Sequence, residues 1–206
     1  MKHIKEFKHT LNTDGLQKIL SQWNIKMTID EILNRWSEPQ RHYHTIKHLQ
    51  DLMNKIIALH KKGTISDLEC EKLVLIALFH DIVYEPLSST NEEDSAKMFM
   101  DNIDINSAPN DIKTHIDEIC QAILDTKRHQ PSTWISKIFC GMDMSIVNST
   151  YDELLEWENG IWNEFNAVGK EKYKAGRLSF LKKIVDDFSG NSENLSKLIE
   201  WVETNY

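Results

Sequence analysis

Leu73-Val74-Leu75-Ile76-Ala77-Leu78-Phe79-His80-Asp81 is the stretch on which the fold turns, seven apolar residues running straight into a titratable pair. By periodicity alone such a run is a buried strand or a buried helix. Its start decides: Ser66 followed three residues later by Glu69 forms a capping box, and the segment from Ser66 to Tyr84 is too long for one strand. The run therefore reads as a central helix, apolar on every side because it is buried on every side. Working outward, the same Ser/Thr-x-x-Glu signature recurs as Thr28 with Glu31, Thr90 with Glu93, and Thr150 with Glu153. Behind these starts lie stripes at helical spacing: Leu16, Ile19, Leu20, Trp23; Ile29, Ile32, Leu33, Trp36; Ile46, Leu49, Met53, Ile56, Ile57. Later stripes are Ile112, Ile116, Ile119, Ile123; Tyr151, Leu154, Leu155, Ile161, Phe165; and Leu181, Ile184, Val185, Phe188. Only 7 glycines and 4 prolines occur in 206 residues, under half the usual combined share of about 12 %, which argues against sandwiches, barrels and doubly wound sheets. The expectation is an all-α bundle of about eight or nine helices.

Length and absence of repeats predict one compact domain over residues 1–206, its core motifs spanning 41–147 and C-terminal helices over 151–204 packing on it. Twenty-four basic against 32 acidic residues give a net charge of −8 and a pI near 5.6. No basic surface results, which excludes nucleic acid or an anionic membrane as the main partner. Cys70, Cys120 and Cys140 are odd in number and without C-x-x-C spacing, and they read as reduced. The first twelve residues lack the apolar core of a signal peptide, and no apolar run approaches the ~20 residues of a membrane span. A soluble, cytoplasmic protein is expected.

The chemistry begins at His80-Asp81. A carboxylate taken out of water costs several kcal/mol unless a cation or several donors compensate it, and a divalent metal does so directly. The alternative is a helix-end Asp bonded to a neighbouring amide beside a core histidine. Three of the nine histidines, His42, His44 and His48, fall within seven residues, a clustering that favours a site. If the helix has begun by then, His44 and His48 share a face, and His48 continues along Leu52 and Leu59 at the border of the core. Asp143 is a second acid on an apolar stripe, between Phe139 and Val147. Imidazole with carboxylate oxygen suits manganese, iron, zinc, cobalt or nickel better than a soft thiolate site would.

Together these words carry a resemblance: Arg41-x-Tyr43-His44-Thr45-x-x-His48, Phe79-His80-Asp81-x-Val83-Tyr84, Asn91-Glu92-Glu93-x-Ser95-Ala96, Thr126-x-x-His129 and Asp143-x-Ser145-Ile146. Over most of its length the chain resembles the HD-domain metal-dependent phosphohydrolases, and within them the bacterial subfamily of predicted metal-dependent HD phosphohydrolases. The resemblance implies an HD-type helical bundle and one divalent cation (Mn, Fe, Ni, Zn, Co or Mg) held by His48, His80, Asp81 and Asp143. His44, one turn earlier, is the alternative first ligand. The sequence departs from the subfamily at Gly141, where an acid is frequent, and at Ile161-Trp162-Asn163-Glu164-Phe165, where Trp162 stands in place of an arginine.

The implied activity is hydrolysis of a phosphoester, with a nucleotide as the usual kind of substrate, by metal-activated water. Asp81 and Glu92 are the catalytic candidates; Glu92 opens the stripe Glu92, Ala96, Phe99, Ile103, and its other reading is an acid favoured by the helix dipole. Arg41, His44, Lys47, Tyr84, His129 and Arg177 are the candidate contacts to a small phosphorylated substrate. Four of them have a plainer reading: surface charge for Arg41 and Lys47, a helix-end histidine for His129, an ion pair with Glu164 for Arg177. Two other functions remain open, a non-catalytic nucleotide-binding module and a di-iron oxygenase that recruits His129 for a second metal. Six tryptophans leave room for an apolar homodimer patch.

Overall fold

A computed structural model describes residues 12–105, 110–187 and 192–206. Residues 1–11 and Phe188, on which parts of the sequence reading fell, lie outside the described residues. Among the described residues there are ten α-helices and no strand, apart from a single antiparallel bridge between Ile25 and Ile103. The helices are α1 (Thr13–Gln22), α2 (Ile29–Arg35), α3 (Ile46–Lys61), α4 (Asp67–Phe79), α5 (Asn91–Asp101), α6 (Asn110–Asp125), α7 (Trp134–Asp143), α8 (Tyr151–Phe165), α9 (Lys170–Asp187) and α10 (Ser192–Asn205). The count exceeds the expected eight or nine because α10 is a helix of its own, with Leu195, Leu198 and Val202 fully buried along one face. The chain divides into two compact units, one ending at Met142 and the other running from Asp143 to Tyr206. None of the described helices is long and apolar enough to cross a membrane.

In the first unit α4 is the axis. Every residue from Lys72 to Phe79 is buried, and α4 packs against α1, α3, α5 and α6. Burying a Leu, Ile or Phe side chain contributes about 1.5–3 kcal/mol each, so the unbroken run from Leu73 to Phe79 places this helix at the centre. Its start is the expected box: Ser66 Oγ accepts from the Glu69 amide while the Glu69 carboxylate accepts from the Ser66 amide at 2.8 Å. Its end comes earlier than the sequence suggested. The helix stops at Phe79, with His80 as its C-cap, rather than continuing to Tyr84. Side chains take over the backbone groups beyond it: Arg41 donates to the Ile82 carbonyl, Ser95 Oγ accepts from the Val83 amide, and Asn91 Oδ1 accepts from the Glu85 amide. His80 and Asp81 therefore sit at a helix end followed by a loop held in place from outside.

The boxes at Thr28 and Thr150 also form, but the one expected at Thr90 does not. Lys127 Nζ draws the Glu93 carboxylate away at 2.5 and 2.7 Å, and Thr90 Oγ1 donates to Asp94 instead.

In the second unit the fully buried Glu158 of α8 accepts from Tyr173 Oη and from Arg177 Nε of α9, both at 2.6 Å. The Arg177 guanidinium also lies 4.1 Å from the centre of the Trp157 ring. Arg177 thus makes an ion pair with Glu158, where the sequence suggested Glu164.

Removing a helix N-cap hydroxyl costs about 1 kcal/mol. Ser66→Ala should therefore lower the urea midpoint by about that equivalent, whereas Thr90→Ala, where no side-chain cap exists, should cost less than half as much. Equal losses would show that the cap geometry does not carry the difference.

Candidate metal centre

His80 is 1 % exposed at the end of α4. Its Nδ1 lies 3.1 Å from the Ala77 carbonyl oxygen, and a carbonyl only accepts, so Nδ1 carries the proton and Nε2 is the ligating nitrogen of the neutral ring. Nε2 faces Asp81 Oδ2 at 3.1 Å. A lone pair facing a carboxylate oxygen at that distance is a favourable arrangement only with a cation, proton or metal, shared between the two.

His48 is brought to the same place from a different helix. Thr45 caps α3 with its hydroxyl accepting from the Lys47 amide, so His48 lies in the first turn, buried, while His44 falls outside the helix. The His48 and His80 ring centres are 5.6 Å apart. One ligand atom from each of His48, His80 and Asp81 lies within 4.8 Å of the others. Bonds of about 2.0–2.2 Å to one ion at tetrahedral angles hold such donors about 3.3–3.6 Å apart, so the three side chains would close in by up to about an ångström around a shared ion. Donor type, burial and tautomer all fit a divalent cation.

Aromatic rings enclose the cluster. Trp36 donates its indole N–H to the Leu78 carbonyl at 3.0 Å and sets its ring 5.5 Å from that of His80. Phe139 of α7 stands 5.0 Å from His80 edge-on, and Tyr43 lies 5.2 Å from His48. Dry walls of this kind strengthen every charge interaction inside them. Trp36 and Phe139 had been visible only as members of core stripes; nothing in their spacing distinguishes lining a site from filling a core.

The other expected residues take varied places. His44 is half-buried with its ring 4.4 Å from that of Tyr84, and Tyr84 is buried. Lys47 is exposed in the first turn of α3. Glu92 is half-buried at the start of α5; burial pushes its carboxyl up, Lys127 at 3.8 Å partly offsets this, and the charge of Asp81 adds to the rise. Glu92 thus senses the centre electrically. His129 adopts left-handed backbone, φ 49°, in the turn after α6. Asp125, four residues earlier, accepts from Ser132 and Gln121, so its carboxylate is committed to the α6–α7 connection. Among the described residues, His48, His80 and Asp81 form the one cluster of metal-ligand type, and His129 is outside it. Asp143 is the last residue of α7, half-buried, where the second unit begins.

Lys127, which braces Glu93 and the Ser89 carbonyl beside Glu92, was missed from sequence because one lysine among many in a polar turn carries no spacing signal. Asn91 and Ser95, which fasten the loop after Asp81, were already part of the Asn91-Glu92-Glu93-x-Ser95 word.

No family model, no curated protein and no solved structure matches the chain.

Titration of the purified protein with Mn²⁺ should show saturable uptake that His48→Ala and Asp81→Ala each weaken by at least about 100-fold, the upper end of what second-sphere changes cost, with helical circular dichroism kept. Undiminished uptake by Asp81→Ala would remove this cluster as the metal centre.

Proposed function

We propose that the chain is an HD-type metal-dependent phosphohydrolase acting on a small phosphorylated substrate, with a nucleotide as the class the sequence resemblance favours. The buried His48–His80–Asp81 cluster carries this reading. Asp143 is the fourth ligand that the sequence resemblance implies. A divalent cation in such a centre supplies Lewis acidity, lowering the pKa of water and polarising a phosphoryl oxygen.

The chain's own groups do the rest. Ala77 holds His80 in the ligating tautomer through its carbonyl. Trp36 and Phe139 keep bulk water from the imidazole. Glu92, half-buried with its carboxyl raised by burial, is the proposed acceptor of the attacking water's proton and donor to the leaving group. Lys47, His44, Tyr84 and His129 are the proposed contacts to phosphate, with Lys47 the exposed cation beside His48. Arg177 is left with its ion pair to Glu158.

Phosphate release from a panel of nucleoside phosphates and simple phosphomonoesters in Mn²⁺, set beside Asp81→Ala, tests the reading. Release by wild type and none by the variant supports it; metal uptake without turnover of any ester overturns it in favour of a binding module. Two metal equivalents per chain, with iron, would point to the di-iron reading.

Glu92 gives a separate pH prediction. A base must be deprotonated, so the rate should rise with pH through a value above the ordinary carboxylate pKa of about 4.3, because burial raises it. Glu92→Gln should remove that acidic limb and lower kcat by about 10²–10⁴. A Glu92→Gln profile identical to wild type would take Glu92 out of proton transfer.

A further inference from the structure

Arg41 was grouped from sequence with the substrate contacts, yet its side chain is wholly buried. Nη1 donates to the His44 carbonyl at 3.2 Å, and Nη2 donates to the Ile82 carbonyl at 3.3 Å and to Glu38 at 3.5 Å. The guanidinium carbon lies 5.3 Å from the Trp36 ring centre and 5.2 Å from that of Tyr84. The two carbonyls belong to segments far apart in sequence. His44 stands just before the turn that starts α3 and delivers His48; Ile82 directly follows Asp81.

We infer that Arg41 is a positioning residue, a planar fork that holds the His44 turn and the loop after Asp81 in register and so sets the spacing between His48 and Asp81. The inference rests on the metal-centre reading for its purpose, though the clamp itself is independent of any ion. The chemistry of the guanidinium suits the task. It is flat and presents donors in a fixed fork, so two carbonyls on different segments are bound in one geometry, which a lysine ammonium cannot reproduce. Trp36 and Tyr84 hold its faces. Burial pulls the guanidinium down and the charge of Asp81 is the largest influence restoring it, which places this cation within electrostatic reach of the ligand carboxylate. The residue four on from Ile82 is Pro86, which has no N–H to donate, so Arg41 supplies the partner that a helix could not give the Ile82 carbonyl.

Hydrogen exchange on the metal-free full chain reads the clamp directly. The amides of Thr45, Ile82, Val83 and Glu85 are all bonded in these two segments, to Tyr43, Phe79, Ser95 and Asn91 respectively. Arg41→Met and Arg41→Lys should each speed exchange at these positions at least tenfold beyond the increase in Leu20→Ala. That control opens a cavity in α1, where Leu20 is fully buried, and lowers stability with the Arg41 fork intact. Mn²⁺ affinity should fall at least tenfold in both Arg41 variants and stay within threefold of wild type in Leu20→Ala. Should Arg41→Met fail to fold, Arg41→Lys alone decides. Exchange that is unchanged, or that rises evenly over the chain as in Leu20→Ala, overturns the inference. Wild type that takes up no Mn²⁺ would refute the metal reading alone, since the exchange result still decides whether Arg41 fixes the two segments.

Discussion

The structure depends on placing an imidazole and a carboxylate next to each other at the end of its most buried helix. Leu73 through Phe79 draw α4 into the centre of the first unit, and whatever follows Phe79 emerges inside the protein. Two acceptor groups there, His80 Nε2 and Asp81 Oδ2 at 3.1 Å, would be costly without a cation between them. The surroundings are arranged around that constraint. The Ala77 carbonyl fixes one nitrogen, α3 presents His48, and Trp36 and Phe139 exclude water.

Around this centre the charges are graded by burial. Arg41, fully inside, faces backbone carbonyls and lies within the field of Asp81. Glu92, half-buried, feels both Asp81 and Lys127. Lys127 and Lys47 reach solvent.

Much of this was legible in the sequence because apolar periodicity and capping residues act locally. The central helix and the boxes at Thr28, Ser66 and Thr150 follow from residue type and spacing, whereas the grouping of His48 with His80 and Asp81 came from the family resemblance, which left His44 as the alternative. What escaped depended on partners distant in the chain. The loop after α4 is held by Arg41, Asn91 and Ser95, and the Thr90 box fails because Lys127 takes Glu93. The choice between His44 and His48 as members of the cluster turned on one residue, the Thr45 cap, which begins α3 after His44. Likewise Arg177 was seen to lie on an inward stripe, but a stripe does not say which of two glutamates in α8 faces it.

The most direct test of the central claim is anomalous diffraction from crystals of the protein soaked in Mn²⁺, recorded on both sides of the manganese edge. The account predicts one strong peak bonded to a His48 ring nitrogen, His80 Nε2 and an Asp81 carboxylate oxygen at about 2.0–2.3 Å. A peak bound elsewhere, with these three side chains bonded only to protein or water, would contradict it.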